Sequence, residues 1–210
     1  IRVDPGERHF LTNDTDQAIT IRYRITPKLA SCSDGPPVTA DVTIEPTPKA
    51  GLTNTNQTLC DGGALAGIVV SNLATHVGAP SFDIAIVNIT GDKADLTPTG
   101  NALNEPTGQA YPYTINGTLT NNTDDAITIQ YRITPKLASC SDGAVVTANV
   151  TIEPTPVAAI SNNSQQICNG EAFTDMVVTN EATHTLVPFF DLDIVATTGD
   201  IGDLAATGNA

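Results

Sequence analysis

Tryptophan is absent from these 210 residues, methionine occurs once, and aromatic residues make up 4% of the chain. A core built from this sequence must therefore rely on Val, Ile, Leu and Ala. Basic residues are also scarce: nine Lys and Arg stand against 23 Asp and Glu, for a formal net charge of −14. A basic patch is the expected footprint of a nucleic-acid binder, so nucleic acid is excluded as a partner. An anionic membrane surface is disfavoured for the same reason. No run of about 18 apolar residues occurs, which excludes a transmembrane helix and membrane insertion by that route. The four cysteines include no C-x-x-C and no Cys/His spacing suited to zinc. No G-x-S-x-G, H-E-x-x-H, P-loop or paired-carboxylate signature is present, so enzymatic activity is not expected.

The chain does have a long internal repeat. Residues 19–35 read ITIRYRITPKLASCSDG, and residues 127–143 read ITIQYRITPKLASCSDG. Cys32 and Cys140, Cys60 and Cys168, and His76 and His184 are each separated by 108 residues. Solenoid units run to roughly 20–50 residues, so this period is that of a whole domain in a tandem array. Hydrophobic residues are 40% of the chain, enough for a sandwich core in a unit of that size.

The unit reads as strands. Residues 19–26 alternate Ile19, Ile21, Tyr23 and Ile25 with Thr20, Arg22, Arg24 and Thr26, the period-two pattern of a half-buried strand. The polar segment that follows ends in Asp34-Gly35, or Asp142-Gly143 in the second copy, a hairpin signal. A further alternating strand, 38–44 or 146–152, closes the hairpin. Then come Glu45-Pro46-Thr47-Pro48 and Glu153-Pro154-Thr155-Pro156. Two prolines in four residues do not fit a central strand and favour a stiff, extended connector. Boundaries placed there give one whole domain, 47–154. Its expected strands are 50–53, 68–72, 82–90, 113–120, 126–134 and 145–152, with weaker candidates at 57–59 and 94–96. The fold class is all-β: tandem immunoglobulin-like sandwiches joined by Pro-rich linkers. Residues 1–46 then read as the C-terminal half of a preceding repeat, and 155–210 as the N-terminal half of a following one. Ile1 lies within the repeat register, opposite Gln109. The sequence is accordingly expected to be a mature product or a window of a longer array.

The order Thr-Ile-x-Tyr-x-Ile-Thr-Pro, Ser-Cys-Ser-Asp-Gly, Val-Thr-Ala-x-Val-Thr-Ile-Glu-Pro-Thr-Pro and Cys-Asp/Asn-Gly resembles the PKD-like immunoglobulin repeats of giant bacterial surface proteins. The resemblance covers most of the unit. Its most specific parts are the Tyr131-x-Ile133-Thr134-Pro135 strand, the Cys140 turn and the linker from Glu153 to Pro156. It implies an extracellular, cell-surface adhesin or filament, similar to the adhesins of gliding Bacteroidota exported by type 9 secretion. Family members often carry Trp on the third strand; here Phe82 and Phe190 stand in that region.

Three cysteine arrangements are open. A staple across domains would join the early Cys of one domain (Cys60 or Cys168) to the last-hairpin Cys of the next (Cys32 or Cys140 in register). A bond within one domain, Cys60–Cys140, needs a modified strand order, since Cα atoms must lie within about 7 Å. The third arrangement is free thiols. Sparse, regularly placed cysteines suit an oxidising compartment. Asp92 and Asp95, with Asp200 and Asp203, are weak calcium candidates; calcium wants six to eight oxygens, and no EF-hand-like string is present. Otherwise no cofactor is expected. His76 and His184 read as surface or loop residues.

Three functions follow. The first is a structural stalk or fibre of a surface adhesin, with neighbouring repeats as partners. The second is a filament subunit whose half-domains pair head to tail between identical chains by strand complementation. The third is a module binding a surface or glycan ligand. Tyr111 and Tyr113 are its closest aromatic pair, but Tyr111 faces Val3 in the register, so no repeated aromatic site exists.

Overall fold

A computed structural model describes residues 10–138, 140–195, 198, 199 and 202. It is all-β, with a 3-10 turn at Lys93–Asp95. The first hairpin comprises β1 (Ile19–Ile25) and β2 (Val38–Ile44). The central unit holds β3 (Ala50–Leu52), β4 (Asn56–Leu59), β5 (Gly63–Ala64), β6 (Ile68–Asn72), β7 (Pro80–Thr90), β8 (Leu96–Pro98), β9 (Gln109–Ala110), β10 (Tyr113–Ile115), β11 (Thr118–Asn121), β12 (Ile127–Leu137) and β13 (Val146–Ile152). A last pair, β14 (Ala158–Ile160) and β15 (Val178–Asn180), follows. Among the described residues, no helix is long and apolar enough to cross a membrane.

The central unit has two layers. One is a five-stranded sheet in the order β4-β13-β12-β7-β9; the other is made of β10-β6-β3 and β5-β11-β8. Strand alternation explains the layering. Ile127, Ile129, Tyr131 and Ile133 all point inward from β12 and are buried. They meet Val150 and Ala148 of β13, Phe82, Ile84 and Ile86 of β7, and Ile68, Val70 and Leu119 from the opposite layer in one core. The Tyr131 hydroxyl, carried into that core, donates to the Ala102 carbonyl at 2.7 Å. Burial pushes its pKa well up.

The repeat is preserved in register. Ile19 pairs with Ile44 and Ile25 with Val38, as Ile127 pairs with Ile152 and Ile133 with Val146. The exposed bidentate pair Arg22–Asp41, at 2.8 Å, becomes the amide pair Gln130–Asn149 at the matching cross-strand position. The sheets differ in what covers them. Among the described residues, β1 and β2 pair with each other alone, whereas β12 is flanked by β13 and β7.

The expected strands appear, with differences in their extent and turns. The stretch 113–120 is two strands, because Gly117 sits at φ 129° with its α-carbon pressed toward the Thr99 carbonyl. Residues 94 and 95 belong to the 3-10 turn, which Asp92 caps by accepting from the Ala94 amide, so the strand starts at Leu96. Asp142-Gly143 does not make a tight two-residue turn: the hairpin runs from Leu137 to Val146, and Gly143 has no positive φ. Glycine is needed there for space. A Cβ would lie 1.9 Å from the Pro48 carbonyl oxygen.

Candidate functional site

The most developed polar site lies at the linkers, and it is built twice. Asn13 anchors the first copy. Its Nδ2 donates to the carbonyls of Ile44 and Gln17 at 2.9 and 2.8 Å. Asn121 does the same for Ile152 and Asp125 at 3.1 and 2.8 Å. This ties the end of the last strand to the loop before the Tyr-bearing strand. That loop then docks on the next unit. Thr75 donates to Asp16 O at 2.7 Å, and Ala18 donates to Thr75 O at 2.9 Å. Thr183 with Asp124, and Ala126 with Thr183, repeat the two bonds at the same lengths.

The linker glutamates complete the clamp. Glu45 accepts from the backbone amides of Val77 at 3.1 Å and Gly78 at 2.9 Å. Glu153 accepts from the Thr185 amide at 3.0 Å and from the Thr185 hydroxyl. A histidine sits against each carboxylate: His76 Nδ1 at 3.4 Å from Glu45, and His184 Nδ1 at 3.3 Å from Glu153. The amide bonds from Gly78 and Val77 outweigh burial and hold the Glu45 carboxyl below the ordinary range. For Glu153, burial pushes upward most strongly, but the bonds from Thr185 and His184 together prevail and its carboxyl too is lowered. Pro46, Pro48 and Pro154 are buried beside these glutamates, and Pro156 is exposed. The linker is therefore packed into an interface rather than spanning solvent.

The histidines correct the sequence reading. They are not surface groups: the His76 side chain is wholly buried and that of His184 is 6% exposed. Their carboxylate partners lie 31 residues away in the sequence. The one signal was that linker and histidine recur together at that spacing in both copies.

Each junction borders an open cavity. At the first, about 430 Å³ is lined by Asp16, Thr47, Pro48, Lys49, Ala144 and Val146. At the second, about 390 Å³ is lined by Cys60, Asp61, Thr155, Pro156, Leu186 and Phe189, among others. All four cysteines are exposed and unbonded. Cys60 follows Leu59, which pairs with Ile152 at the far end of β13, whereas Cys140 precedes Val146 at its near end. Six strand steps separate those ends, roughly 20 Å at about 3.3 Å per residue. A Cys60–Cys140 bond within the unit does not fit that separation. Asp92 is occupied as a cap, and Asp95 lies on the same short turn. Asp200 and Asp203 lie outside the described residues. Among the described residues, no group of three His, Cys, Asp or Glu side chains is placed to hold a metal ion.

No family model matches the chain, and no curated protein matches it. Among solved structures it is similar to domains 4 and 5 of the S-layer protein SbsC, at 13% identity and a TM-score of 0.32. That likeness covers 64% of this chain and 59% of the other, and at that score it fixes neither fold family nor function.

Proposed function

We propose that the chain is a non-enzymatic segment of a rigid rod. In this reading it consists of immunoglobulin-like, PKD-like repeats with boundaries at 46/47 and 154/155, extending a bacterial cell-surface adhesin or forming its fibre. The observation that supports it is the junction itself. The same glutamate, proline and histidine side chains join successive units twice, 108 residues apart, each time beside an asparagine that ties its own unit's last strand to the docking loop. A linker that only tethers needs no such bonds; one that sets a repeated angle does. The PKD-like resemblance supports the finer reading: an extracellular adhesin, exported by type 9 secretion and serving gliding, whose ligand is met elsewhere on the array.

Small-angle scattering at low protein concentration tests the rod. The wild-type chain should give a single narrow distance distribution with an extended maximum dimension. The double variant Glu45→Ala, Glu153→Ala should broaden it and shorten the mean. A wild-type chain that already scatters as freely jointed beads would sink the proposal.

A further inference from the structure

One edge of the five-stranded sheet is covered by side chains rather than by a strand. β9 pairs with β7 at Ser81 and Phe82 and ends there. The next outward amide, that of Ile84, donates to the Pro106 carbonyl at 2.9 Å. Beyond it no strand lies on that side of β7 among the described residues. The stretch this leaves at the edge, residues 84–90, reads IAIVNIT, without a charge, a proline or a glycine. Segments of six or seven residues with that composition pair readily with their own kind, and an unpaired edge is where they do so. At Ile86 two side chains stand where a neighbouring strand would. Glu105 Oε1 accepts from the Ile86 amide at 2.6 Å, and Lys93 Nζ donates to the Ile86 carbonyl at 3.3 Å. The two are joined to each other at 2.6 Å. Lys93 is held beside the strand by Asn88 of β7, whose side-chain oxygen accepts from the Lys93 amide at 3.0 Å. Burial pushes the Glu105 carboxyl up, but the bonds from Lys93 and the Ile86 amide prevail and hold it below the ordinary range.

The second copy treats the same position differently. Its register-equivalent stretch, 192–198, reads LDIVATT, and Ile201 stands where Lys93 does. The charge has moved into the strand: Asp193 replaces Ala85, and Thr197 replaces Ile89. A charge within such a segment blocks its pairing by itself. Each copy therefore sets a charge against this stretch, beside it in one case and within it in the other.

We propose that Lys93 and Glu105 guard the β7 edge against side-by-side pairing, by filling the amide and carbonyl that the β7 strand of a neighbouring molecule would otherwise bond. The partner kept out is the same edge of a second molecule, running antiparallel, so that two 84–90 stretches would join two sheets into one. Such a contact would be self-complementary, the same patch on both sides. All the groups involved lie within the central unit, so the guard stands whether or not the linkers set a rod.

Sedimentation and thioflavin fluorescence of the full chain test this, with amide exchange at Ile86 as the local readout. In the double variant Lys93→Ala, Glu105→Ala the Ile86 amide should exchange at least tenfold faster than in wild type at low concentration. The variant should then assemble at a concentration at least tenfold below that of wild type. Ala85 and Thr147 are both exposed, and both lie opposite Arg132, one on each side of it. Adding Ala85→Asp, which gives β7 the charge of the second copy, should return assembly to the wild-type concentration. Thr147→Asp adds the same charge from β13, away from the edge, and should relieve nothing. Assembly of the double variant at wild-type concentrations overturns the proposal. So does relief by neither aspartate, or equal relief by both, which would mark a general effect of charge. If the double variant does not fold, Lys93→Ala alone, which leaves the Glu105 acceptor in place, is put to the same two aspartates. Assembly that Ala85→Asp alone relieves then supports the guard, and assembly like wild type overturns it.

Discussion

Gly143 closes its hairpin directly against the linker, where a side chain has no room. An alanine Cβ at 143 would lie 1.9 Å from the Pro48 carbonyl oxygen, 2.8 Å from its carbon and 3.2 Å from the Pro135 Cβ. Ordinary contact is about 3.5 Å, so the backbone must move by roughly 1.5 Å. Neither side is free to give. Pro48 is buried next to β3, and Pro135 lies inside β12, where it pairs with Phe82. Overpacking costs about 1–3 kcal/mol, and a clash with main chain belongs at the top of that range. At about 4–8 °C per kcal/mol for a domain of this size, Gly143→Ala should lower the melting temperature of the central unit by roughly 12–24 °C. Thermal melts followed by near-ultraviolet circular dichroism, where buried Tyr131 reports, measure this. A Gly143→Ala melt within about 2 °C of wild type would show that the hairpin does not rest on the linker as described.

Tyr131→Phe removes the hydrogen bond to Ala102 and leaves that carbonyl unpaired in the core; urea titration should show a loss of about 1–2 kcal/mol. Because the Glu153 and Glu45 carboxyls are held below the ordinary value of about 4.3, their contribution to the junction is complete above that pH and disappears as pH falls through the folded values. Scattering between pH 6 and pH 3 should accordingly show the rod loosening on the acid side, and a shape indifferent to acid would contradict this. Glu153→Gln should speed amide exchange at Thr185 about tenfold with no change at the core amides of β12. Arg22→Ala should leave the melting of the central unit unchanged, because the Arg22–Asp41 pair is solvent-exposed and lies outside that unit.

The strands were legible because their side chains alternate and the duplication confirmed each reading twice. β12 was longer than expected, since Pro135 lies within the β12–β7 ladder and the strand continues to Leu137. The hairpin formed where Asp-Gly signalled it, but Gly143 serves it by a close backbone approach rather than by a positive φ. The composition of a tight turn and that of a close backbone approach are the same, and only the position of Pro48 tells them apart. The junction was half-legible. Its prolines and glutamates marked a connector, but the buried histidines depend on a contact across 31 residues, which no local pattern encodes. The cysteine geometry followed once β4 was seen to run parallel to β13, a pairing that periodicity cannot specify.

That parallel pairing has a mechanical consequence. Asn56–Leu59, near the start of the central unit, runs alongside Asn149–Ile152 at its end. The Asn149 amide donates to Thr55 O at 2.7 Å, and the Glu153 amide donates to Leu59 O at 2.8 Å. Tension that drew the two linkers apart would slide these strands past one another along their length. Their bonds would then be strained together in shear, rather than peeled open one by one from an edge. The strands that receive and transmit a pull at either end of the unit are thus the ones bonded directly to each other.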